Sequence, residues 1–533
     1  MHPEDTTLTG IFSNIATYVV LAVVSIGFLF WKDYARLRHI PGPLIYALTR
    51  YRLSLDAWNS RYVTAIHKLH DKYGPVVRVE PNQVSFNSLA ALRTIYGAGS
   101  GFERTNFYDM FISYGHSNMF SFASGKRHRD RKKLISNIYA NQTVLGPQTS
   151  TMIQSKIATF LNYLESRPGQ ACEVFSALHY FAFDTISEFI YGPQHGATKA
   201  MLGNQKDQDL IKDILVPGRR HLAWYTTQFP AYTRWLTTRT GLLGELVDAL
   251  HLMPMKKPYT YTGARQHALN SMNSFRDALA SGTVQADDST VIGRLYKARK
   301  QADLSDLQIA SECADHLTAG IDTTSDTIMF LMWAVSLPQH QHIQAKLREE
   351  VRNVKVNEHG VPYPRELTQL PYLNAVLRET LRLYAPLPTF EPRSSPVATV
   401  VDGYHIPAGT VVGISPYTLH RDPKVFPSPL SFQPERWLIH DDATGATTLV
   451  PESDLRHRYF WAFSSGARMC IGMHLAFAEM TTLVTAVYRQ YRTVARNPDT
   501  SPAITSRFEV FYDESAPKIQ EHECWIEFVK ADD

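Results

Sequence analysis

The sequence predicts a mainly α-helical body with a small β-sheet subdomain, preceded by a single transmembrane helix near the N-terminus. Three observations support this fold class: long segments with helical spacing of apolar residues, a pair of short strand-like segments, and an uncharged apolar stretch near the start. The chain of 533 residues shows no internal repeat and no low-complexity tract, so we expect one large folded domain behind the membrane segment.

The composition excludes several classes of protein. With 44% hydrophobic and 20% charged residues, the chain is neither disordered nor collagen-like. A net charge of +4 is small for this length and does not argue for a nucleic-acid partner. The four cysteines lie far apart and form no CxxC pair, which excludes a disulfide scaffold and zinc-finger spacing. An enzyme in a reducing compartment fits these values.

The apolar stretch is long enough to be a membrane anchor. Residues 6–31 contain no charged side chain, and residues 15–31 are almost wholly apolar. An apolar helix of about 20 residues spans the hydrocarbon core of a bilayer. A cleaved signal peptide is the alternative, but Glu4 and Asp5 stand where a signal peptide carries Lys or Arg. We therefore predict a lumenal tail and a transmembrane anchor at residues 1–31.

Basic residues and prolines follow the apolar stretch. Lys32, Arg36 and Arg38 place everything after them on the cytosolic side, because positive charges stay in the cytosol. Prolines at 41 and 43 make a stiff connection. We predict a basic, proline-rich linker at 32–44 and the folded domain at 45–533, in a single-pass protein of the endoplasmic reticulum membrane.

The elements of the body follow from local patterns. Helical spacing predicts long helices at 151–164, 178–191, 305–337, 339–351, 371–384 and 471–491. Ser305 and Gln308 have the spacing of a capping box at the start of the longest of these. The clearest strands are 76–80 and 83–86, joined by a turn at Pro81 and Asn82.

A loop around one cysteine is the most informative motif. Phe463, Gly466, Arg468, Cys470 and Gly472 form the pattern F-x-x-G-x-R-x-C-x-G in front of an apolar helix. A thiolate at a helix N-terminus is stabilised as an anion and held for a metal. The first glycine allows a turn with positive φ, the second allows a flat cofactor to approach, and the arginine can reach a carboxylate on its rim. The other cysteines are expected to be small buried hydrophobic residues.

This loop resembles the haem-binding loop of the cytochrome P450 family and matches it at all five fixed positions. The resemblance implies the cytochrome P450 fold, with residues 45–533 as the catalytic domain. It also implies haem b as the cofactor, bound around Phe463, Gly466, Arg468 and Gly472, with the Cys470 thiolate as axial iron ligand. The ending Pro-Glu-Arg-Trp at 434–437 is similar to fungal members of the family.

A motif of one acidic and one basic residue agrees with this resemblance in order and spacing. Glu379 and Arg382 lie three residues apart on one helical face, which alone would be a common surface ion pair. The resemblance implies that Arg436 joins them in a buried charge network that fixes the cysteine loop. Loss of one partner would then leave an unpaired buried charge.

The segment 319–324 lies inside the longest predicted helix. A glycine at 320 costs a helix interior about 1 kcal/mol relative to alanine, which predicts a wall thinned there to admit a ligand. By the residues alone, Thr323 bonding the carbonyl of Ala319 with Asp322 on a solvated face is an alternative. The resemblance implies instead that Asp322 and Thr323 lie over the haem and relay protons to dioxygen.

A basic run at 126–133 has a solvated helix face as its simplest interpretation, and it lacks the interleaved aromatic residues of a nucleic-acid patch. The family commonly has Trp and Arg here, both touching a haem propionate, where this chain has His128 and Lys132. Lysine cannot supply the bidentate contact of arginine. The resemblance adds Arg393 as a propionate contact and implies that the remaining charges, Arg131 among them, face an acidic reductase.

The expected function is that of a haem-thiolate monooxygenase. It would insert one atom of dioxygen into a lipophilic small molecule, a secondary-metabolite intermediate, with electrons from NADPH through a separate NADPH–cytochrome P450 reductase. No G-x-G-x-x-G nucleotide fingerprint is present in the chain, so the electrons must come from another protein. Two alternatives remain: a haem-thiolate isomerase or dehydratase acting on a peroxide, and a non-catalytic membrane-tethered haem binder. No nucleic-acid partner is expected.

Overall fold

The computed structural model describes residues 17–21, 25, 27, 31–32, 34–216, 224, 228–229, 241–251, 262–505 and 510–531. Within these residues no helix is both long and apolar enough to cross a membrane. The predicted anchor lies largely outside the described residues, so it stays a prediction.

The body is mainly helical. Its helices, in chain order, are α1 Leu44–Leu48, α2 Tyr51–Trp58, α3 Tyr62–Tyr73, α4 Leu89–Tyr96, α5 Gly125–Ile135, α6 Asn141–Val144, α7 Pro147–Glu165, α8 Val174–Tyr191, α9 Gln205–Leu215, α10 Leu242–Ala249, α11 Thr262–Ala280, α12 Val291–Ala298, α13 Asp306–Ser336, α14 Gln341–Val351, α15 Pro364–Leu367, α16 Pro371–Leu383, α17 Pro416–Leu419, α18 Leu455–Tyr459 and α19 Met473–Gln490. Short 3-10 helices occupy Asn106–Phe111, Pro338–His340, Pro434–Trp437 and Gly466–Arg468.

The strands are short and form small sheets. They are β1 Val76–Glu80, β2 Gln83–Phe86, β3 Glu103–Arg104, β4 Ala171–Glu173, β5 Arg393–Ser394, β6 Thr399–Val401, β7 Tyr404–Ile406, β8 Val411–Ile414, β9 Leu438–His440, β10 Thr447–Leu449, β11 Tyr491–Ala495, β12 Thr500–Thr505, β13 Val510–Phe511, β14 Lys518–Glu521 and β15 Trp525–Lys530. The largest sheet has the order β1-β2-β8-β5-β3, in which only the β2–β8 pair is parallel.

The predicted mainly α-helical class and small sheet are confirmed. All six long helices are present with ends displaced by up to four residues, and β1 and β2 have the predicted bounds. They pair as an antiparallel hairpin in which Val76 lies opposite Phe86. Helix α13 begins with the predicted capping box. The Ser305 hydroxyl accepts from the Gln308 N–H, and the Gln308 side-chain oxygen accepts from the Ser305 N–H.

Helix α13 runs through the centre of the helical core. Its 31 residues make it about 45 Å long. Helix α8, in which nearly every side chain is buried, packs along one side of it. The cysteine loop and helix α19 lie in the same core, and residues of α8, α13, α16 and α19 belong to one continuous apolar cluster. The fold therefore brings the predicted site segments into one part of the molecule.

Candidate functional site

The cysteine loop places its sulfur at the start of helix α19. The Cys470 N–H donates to the carbonyl of Phe463 at 2.9 Å, which closes the loop. The backbone N–H groups of Gly472 and Met473 donate to the sulfur. Because α19 begins at Met473, these donors are helix N-terminal groups without partners inside the helix.

The Cys470 side chain is accessible, whereas Cys172, Cys313 and Cys524 are buried as expected. Dense protein nevertheless surrounds the sulfur. This burial raises the pKa of the Cys470 thiol above the ordinary value and outweighs the backbone donors and the charge of Lys132. The helix N-terminal donors and Lys132 act to lower the pKa of the thiol, and a metal cation bound to the sulfur would lower it further.

The two loop glycines have different reasons to be glycine. Gly466 has a φ of +65°, and a Cβ there would lie 2.2 Å from the carbonyl oxygen of Tyr96, so the protein itself requires glycine. Gly472 has a negative φ of −82°, and its Cβ would meet only the Cys470 sulfur at 3.9 Å. Nothing in the described protein occupies the space that a side chain at 472 would fill.

Beside the loop lies a cluster of cations with few carboxylates. Arg104 and Arg393 stand directly opposite each other on β3 and β5, a pairing of like charges that destabilises a sheet on its own. Burial, then the charges of Arg468, Arg104 and Lys132, lowers the pKa of His128 to about 3. The Nδ1 atom of His128 is buried without a hydrogen-bond partner among the described residues.

Arg468 and Arg104 of this cluster have lowered pKa values, whereas in Arg393, in spite of its burial, Tyr108 and Glu391 raise the pKa. Burial, together with the neighbouring guanidinium of Arg393, lowers the pKa of Arg468 to about 9 and that of Arg104 to about 10. Arg393 donates to the hydroxyl of Tyr108 at 2.7 Å, and its only carboxylate within ion-pair distance among the described residues is Glu391 at 3.6 Å. Such a cluster is a site for an anion.

Two other cations of the predicted set donate to backbone carbonyls. Arg468 donates to the carbonyls of Phe122 at 2.8 Å and Ala123 at 2.7 Å. Lys132 donates to the carbonyls of Ala467 at 3.1 Å and Met469 at 3.4 Å. Arg468 therefore connects the cysteine loop to the residues just before α5, and Lys132 connects the loop to α5 itself.

Glu379, Arg382 and Arg436 are in contact in a buried network. Glu379 is fully buried and accepts from Arg382 at 2.8 and 2.9 Å and from Arg436 at 3.0 Å. It also accepts from the Trp437 indole and the Gln433 N–H, each at 2.9 Å. Five donors on one carboxylate hold its pKa below the ordinary value, although burial alone would raise it.

The network reaches the cysteine loop through a residue that the sequence did not single out, His420. Its Nδ1 donates to the carbonyl of Arg382 at 3.1 Å, and its Nε2 accepts from the Trp461 N–H at 2.8 Å. Burial lowers the pKa of His420 to about 3, which agrees with a neutral ring. The imidazole therefore connects α16 to the start of the cysteine loop.

Helix α5 joins the loop to helix α13. Lys132 bonds the loop, and the adjacent Arg131 makes a buried ion pair of 2.5 Å with Glu312 of α13. The expectation that Arg131 faces a partner protein is wrong, because its side chain is buried in this pair. Lys126, Arg127, Arg129 and Lys133 are exposed.

One face of the buried helix α13 is accessible near its middle. The accessible side chains share a single helical stripe and are Asp315, Thr318, Ala319, Asp322 and Thr323. This stripe and Cys470 are thus both accessible within a largely buried core. The Thr323 hydroxyl donates to the carbonyl of Ala319 at 2.8 Å, the local bond of the structural alternative.

Gly320 does not thin this wall, contrary to the prediction. A Cβ at 320 would lie 2.6 Å from Cγ1 of Ile186, so its missing side chain makes room for helix α8. The accessible small residue on the stripe is the neighbouring Ala319. Close packing of α8 on α13 is therefore the physical reason for this glycine.

We expect Gly320→Ala to destabilise the protein by about 1–3 kcal/mol, the cost of inserting a methyl group into a packed interface. Truncating the facing side chain in Gly320→Ala/Ile186→Ala should remove most of the added clash, so the two substitutions will not be additive. Urea unfolding of the two single variants and the double variant measures this coupling. Strict additivity would show that the two side chains do not compete for the same space.

Sequence reasoning missed Arg104, His420 and Glu312. Arg104 had a weak signal, as an isolated arginine among aromatic residues before the basic run. The other two gave no local signal, because their partners Trp461 and Arg131 lie 41 and 181 residues away along the chain.

Comparison with known proteins agrees with this geometry. A model of the cytochrome P450 family matches residues 41–517. Cytochrome P450 monooxygenase orf2 of Aspergillus niger is 28% identical over 491 residues, which cover 91% of this chain and 92% of that protein. Cytochrome P450 monooxygenase aflV of Aspergillus parasiticus is 28% identical and covers 88% of the chain and 87% of its own length.

A third relative, cytochrome P450 monooxygenase tazI of Aspergillus terreus, is 26% identical and covers 93% of each chain. The family match extends over most of the sequence and includes the cysteine loop, the charge network and helix α13. The chain therefore belongs to the cytochrome P450 family and is an enzyme of its monooxygenase class.

Proposed function

We propose that this protein binds haem b through the Cys470 thiolate and inserts one atom of dioxygen into a lipophilic small molecule. The family implies a cysteine-ligated haem, a substrate, dioxygen and a redox partner. The observation that carries the proposal is the accessible thiol in dense surroundings, bordered by helix N-terminal donors.

The residues present fit this cofactor. Arg104, Arg393 and Arg468 supply positive charge, and the neutral ring of His128 has a buried nitrogen without a hydrogen-bond partner in the described part of the chain, a set that would suit the two propionate groups of haem b. The space beside Gly472 fits the approach of a flat ring to the sulfur. Burial raises the pKa of the Cys470 thiol, and a bound ferric iron would lower it again, because a cation at the sulfur favours the thiolate.

When bound, the haem supplies the oxygen-activating chemistry of a monooxygenase. The chain positions the group through the loop and handles protons through Asp322 and Thr323 on the accessible stripe of α13. An acid and an alcohol at this place favour oxygenase chemistry over the isomerase or dehydratase alternative, which needs no proton delivery.

The proposed electron source is NADPH–cytochrome P450 reductase. Lys126, Arg127, Arg129 and Lys133 form an exposed basic surface on α5, next to the loop that Lys132 contacts. An acidic partner would be attracted to this surface. The similarity to fungal relatives supports a secondary-metabolite intermediate as the substrate.

The test of the proposed function is optical and kinetic. Reduced wild-type protein treated with carbon monoxide should show the red-shifted Soret band of thiolate-ligated haem. With reductase, NADPH and a compound that perturbs the Soret band, it should also form an oxygenated product. A thiolate band without NADPH consumption for any compound tested would favour the non-catalytic haem binder.

We expect Thr323→Ala to divert electrons from product to hydrogen peroxide, because the hydroxyl would no longer assist proton delivery. Product formation should fall about 10-fold or more, while NADPH consumption persists. The matched control is Thr327→Ala, which removes a hydroxyl that bonds the Thr323 carbonyl one turn further along the buried part of α13. If the two variants form the same amount of product per NADPH consumed, the role of the Thr323 hydroxyl is structural.

We propose that residues 1–31 anchor the protein in the endoplasmic reticulum membrane with the catalytic domain in the cytosol. Their uncharged composition supports this, as does the basic linker that follows. Deletion of 1–31 is expected to move the protein from the membrane pellet to the supernatant of a cell fractionation. Continued sedimentation with membranes after a high-salt wash would contradict a single anchor at these residues.

A further inference from the structure

A buried histidine lies behind the accessible stripe of α13. His179 belongs to α8, and its side chain is 2% exposed. Its Nδ1 lies 2.8 Å from the carbonyl oxygen of Phe175, one turn earlier. A carbonyl can only accept, so Nδ1 carries the hydrogen and the neutral ring presents a lone pair at Nε2.

Two carboxylates of α13 face this nitrogen. Oδ1 of Asp326 lies 3.6 Å from Nε2 of His179, and Oδ1 of Asp322 lies 4.0 Å from it. The Asp326 side chain is 4% exposed, and its Oδ1 has no hydrogen-bond partner among the described residues. The Asp322 side chain is 28% exposed and belongs to the accessible stripe.

Another buried acid of this fold is satisfied by donors. Asp184, also on α8, accepts from the Thr198 hydroxyl at 2.6 Å and from the N–H groups of Ala200 and Met201 at 2.9 and 3.0 Å. No Lys or Arg of the described part of the chain forms an ion pair with Asp326. Oδ1 of Asp326 has no comparable donor among the described residues.

Two carboxylates one helical turn apart, one of them almost fully buried, favour a proton on the buried one, because like charges repel strongly where burial excludes water. Desolvation, then the charge of Asp322, raises the pKa of Asp326 well above its ordinary value. Burial lowers the pKa of His179 to about 3, with a smaller contribution from His522. The two opposite shifts therefore favour the proton on Asp326 rather than on His179.

We propose that Asp326 and His179 are positioning residues that hold a proton behind Asp322 and deliver it to the Asp322 carboxylate, from which it passes toward Thr323. This rests on the proposed function. The Asp326 O–H donates its proton to Nε2 of His179, and that nitrogen passes a proton to the Asp322 carboxylate. One proton moves and no electrons do. Asp326 regains its proton by the reverse path, after the accessible Asp322 has taken up a proton from water.

The first test is infrared spectroscopy of the resting protein at neutral pH. Wild type minus Asp326→Asn should show the C=O stretching band of one neutral carboxylic acid. Glu479→Gln is the matched control, since burial raises the pKa of Glu479, on α19, to about 8 and its substitution should remove a separate band. Absence of a neutral-acid band in the Asp326 difference spectrum would overturn the proposal.

The second test needs no known substrate. With reductase, NADPH and oxygen, electrons leave either as hydrogen peroxide, at one NADPH per oxygen, or as water, at two NADPH per oxygen. We expect Asp326→Asn and His179→Phe to raise the fraction of NADPH recovered as peroxide at least twofold, with Glu479→Gln unchanged. The phenylalanine keeps the ring contact of His179 with Phe175, whose centroid is 4.2 Å away.

The outcomes separate this proposal from the proposed function. The carbon monoxide spectrum should be the same in wild type and all three variants, which also shows that they fold. If wild type lacks the thiolate band, the proposed function fails while the infrared result still stands. If the bands are as expected but the peroxide fraction of Asp326→Asn equals that of Glu479→Gln, the relay is refuted.

Discussion

Cys470→Ser is expected to abolish the red-shifted Soret band of the reduced protein with carbon monoxide, and product formation with it. A serine hydroxyl has a pKa far above neutrality and cannot offer the anionic sulfur that this band reports. The loop should keep its shape, because the bond from the 470 N–H to the Phe463 carbonyl involves only backbone atoms. The measurement is the absorption spectrum of purified, reduced protein at equal concentration.

The matched control is Cys172→Ser, which makes the same chemical change at a buried cysteine of β4. A buried hydroxyl there costs about 1–3 kcal/mol, so the control lowers stability without altering the spectrum. Retention of the thiolate band in Cys470→Ser would refute the assignment of the iron ligand. Loss of the band in both variants would point to unfolding.

Much of this site could be predicted because its motifs are local. The cysteine loop, its glycines and the following helix lie within about 30 residues, and the turn at Gly466 has the predicted positive φ. Helix α13 carries its own start signal at Ser305 and its stop at Pro338. Short-range hydrogen bonds and backbone preferences set such features, and the sequence displays them directly.

The rest depends on contacts between distant segments. The opposition of Arg104 and Arg393 follows from strand pairing across 289 positions, and the role of Gly320 follows from the docking of Ile186. Burial raises the pKa of Cys470 and the local donors lower it, so the direction of the net shift cannot be predicted without the surrounding structure. Burial of Arg131 likewise requires its partner Glu312 on α13. No local pattern encodes these pairings.

Glu379→Gln is expected to destabilise the protein by about 3–5 kcal/mol, the cost of removing one partner from a buried ion pair. The amide has nearly the same shape but no charge, so Arg382 and Arg436 lose the anion that offsets their burial. An NH2 group would also face donors where an oxygen now accepts. Since domains are stable by only about 5–15 kcal/mol, this loss should lower haem content as well.

Glu435→Gln is the matched control, because Glu435 lies in the same segment, two residues from Trp437, and pairs with Lys346 at 2.8 Å. Its side chain is 43% exposed, so the change should cost less than about 1 kcal/mol. Urea midpoints of the holoenzyme, followed by the thiolate band and by tryptophan fluorescence, compare the two variants. Because His420 joins Arg382 to Trp461, the thiolate band of Glu379→Gln should disappear at a lower urea concentration than that of the control. Equal midpoints would mean that the charge of Glu379 does not support the cysteine loop.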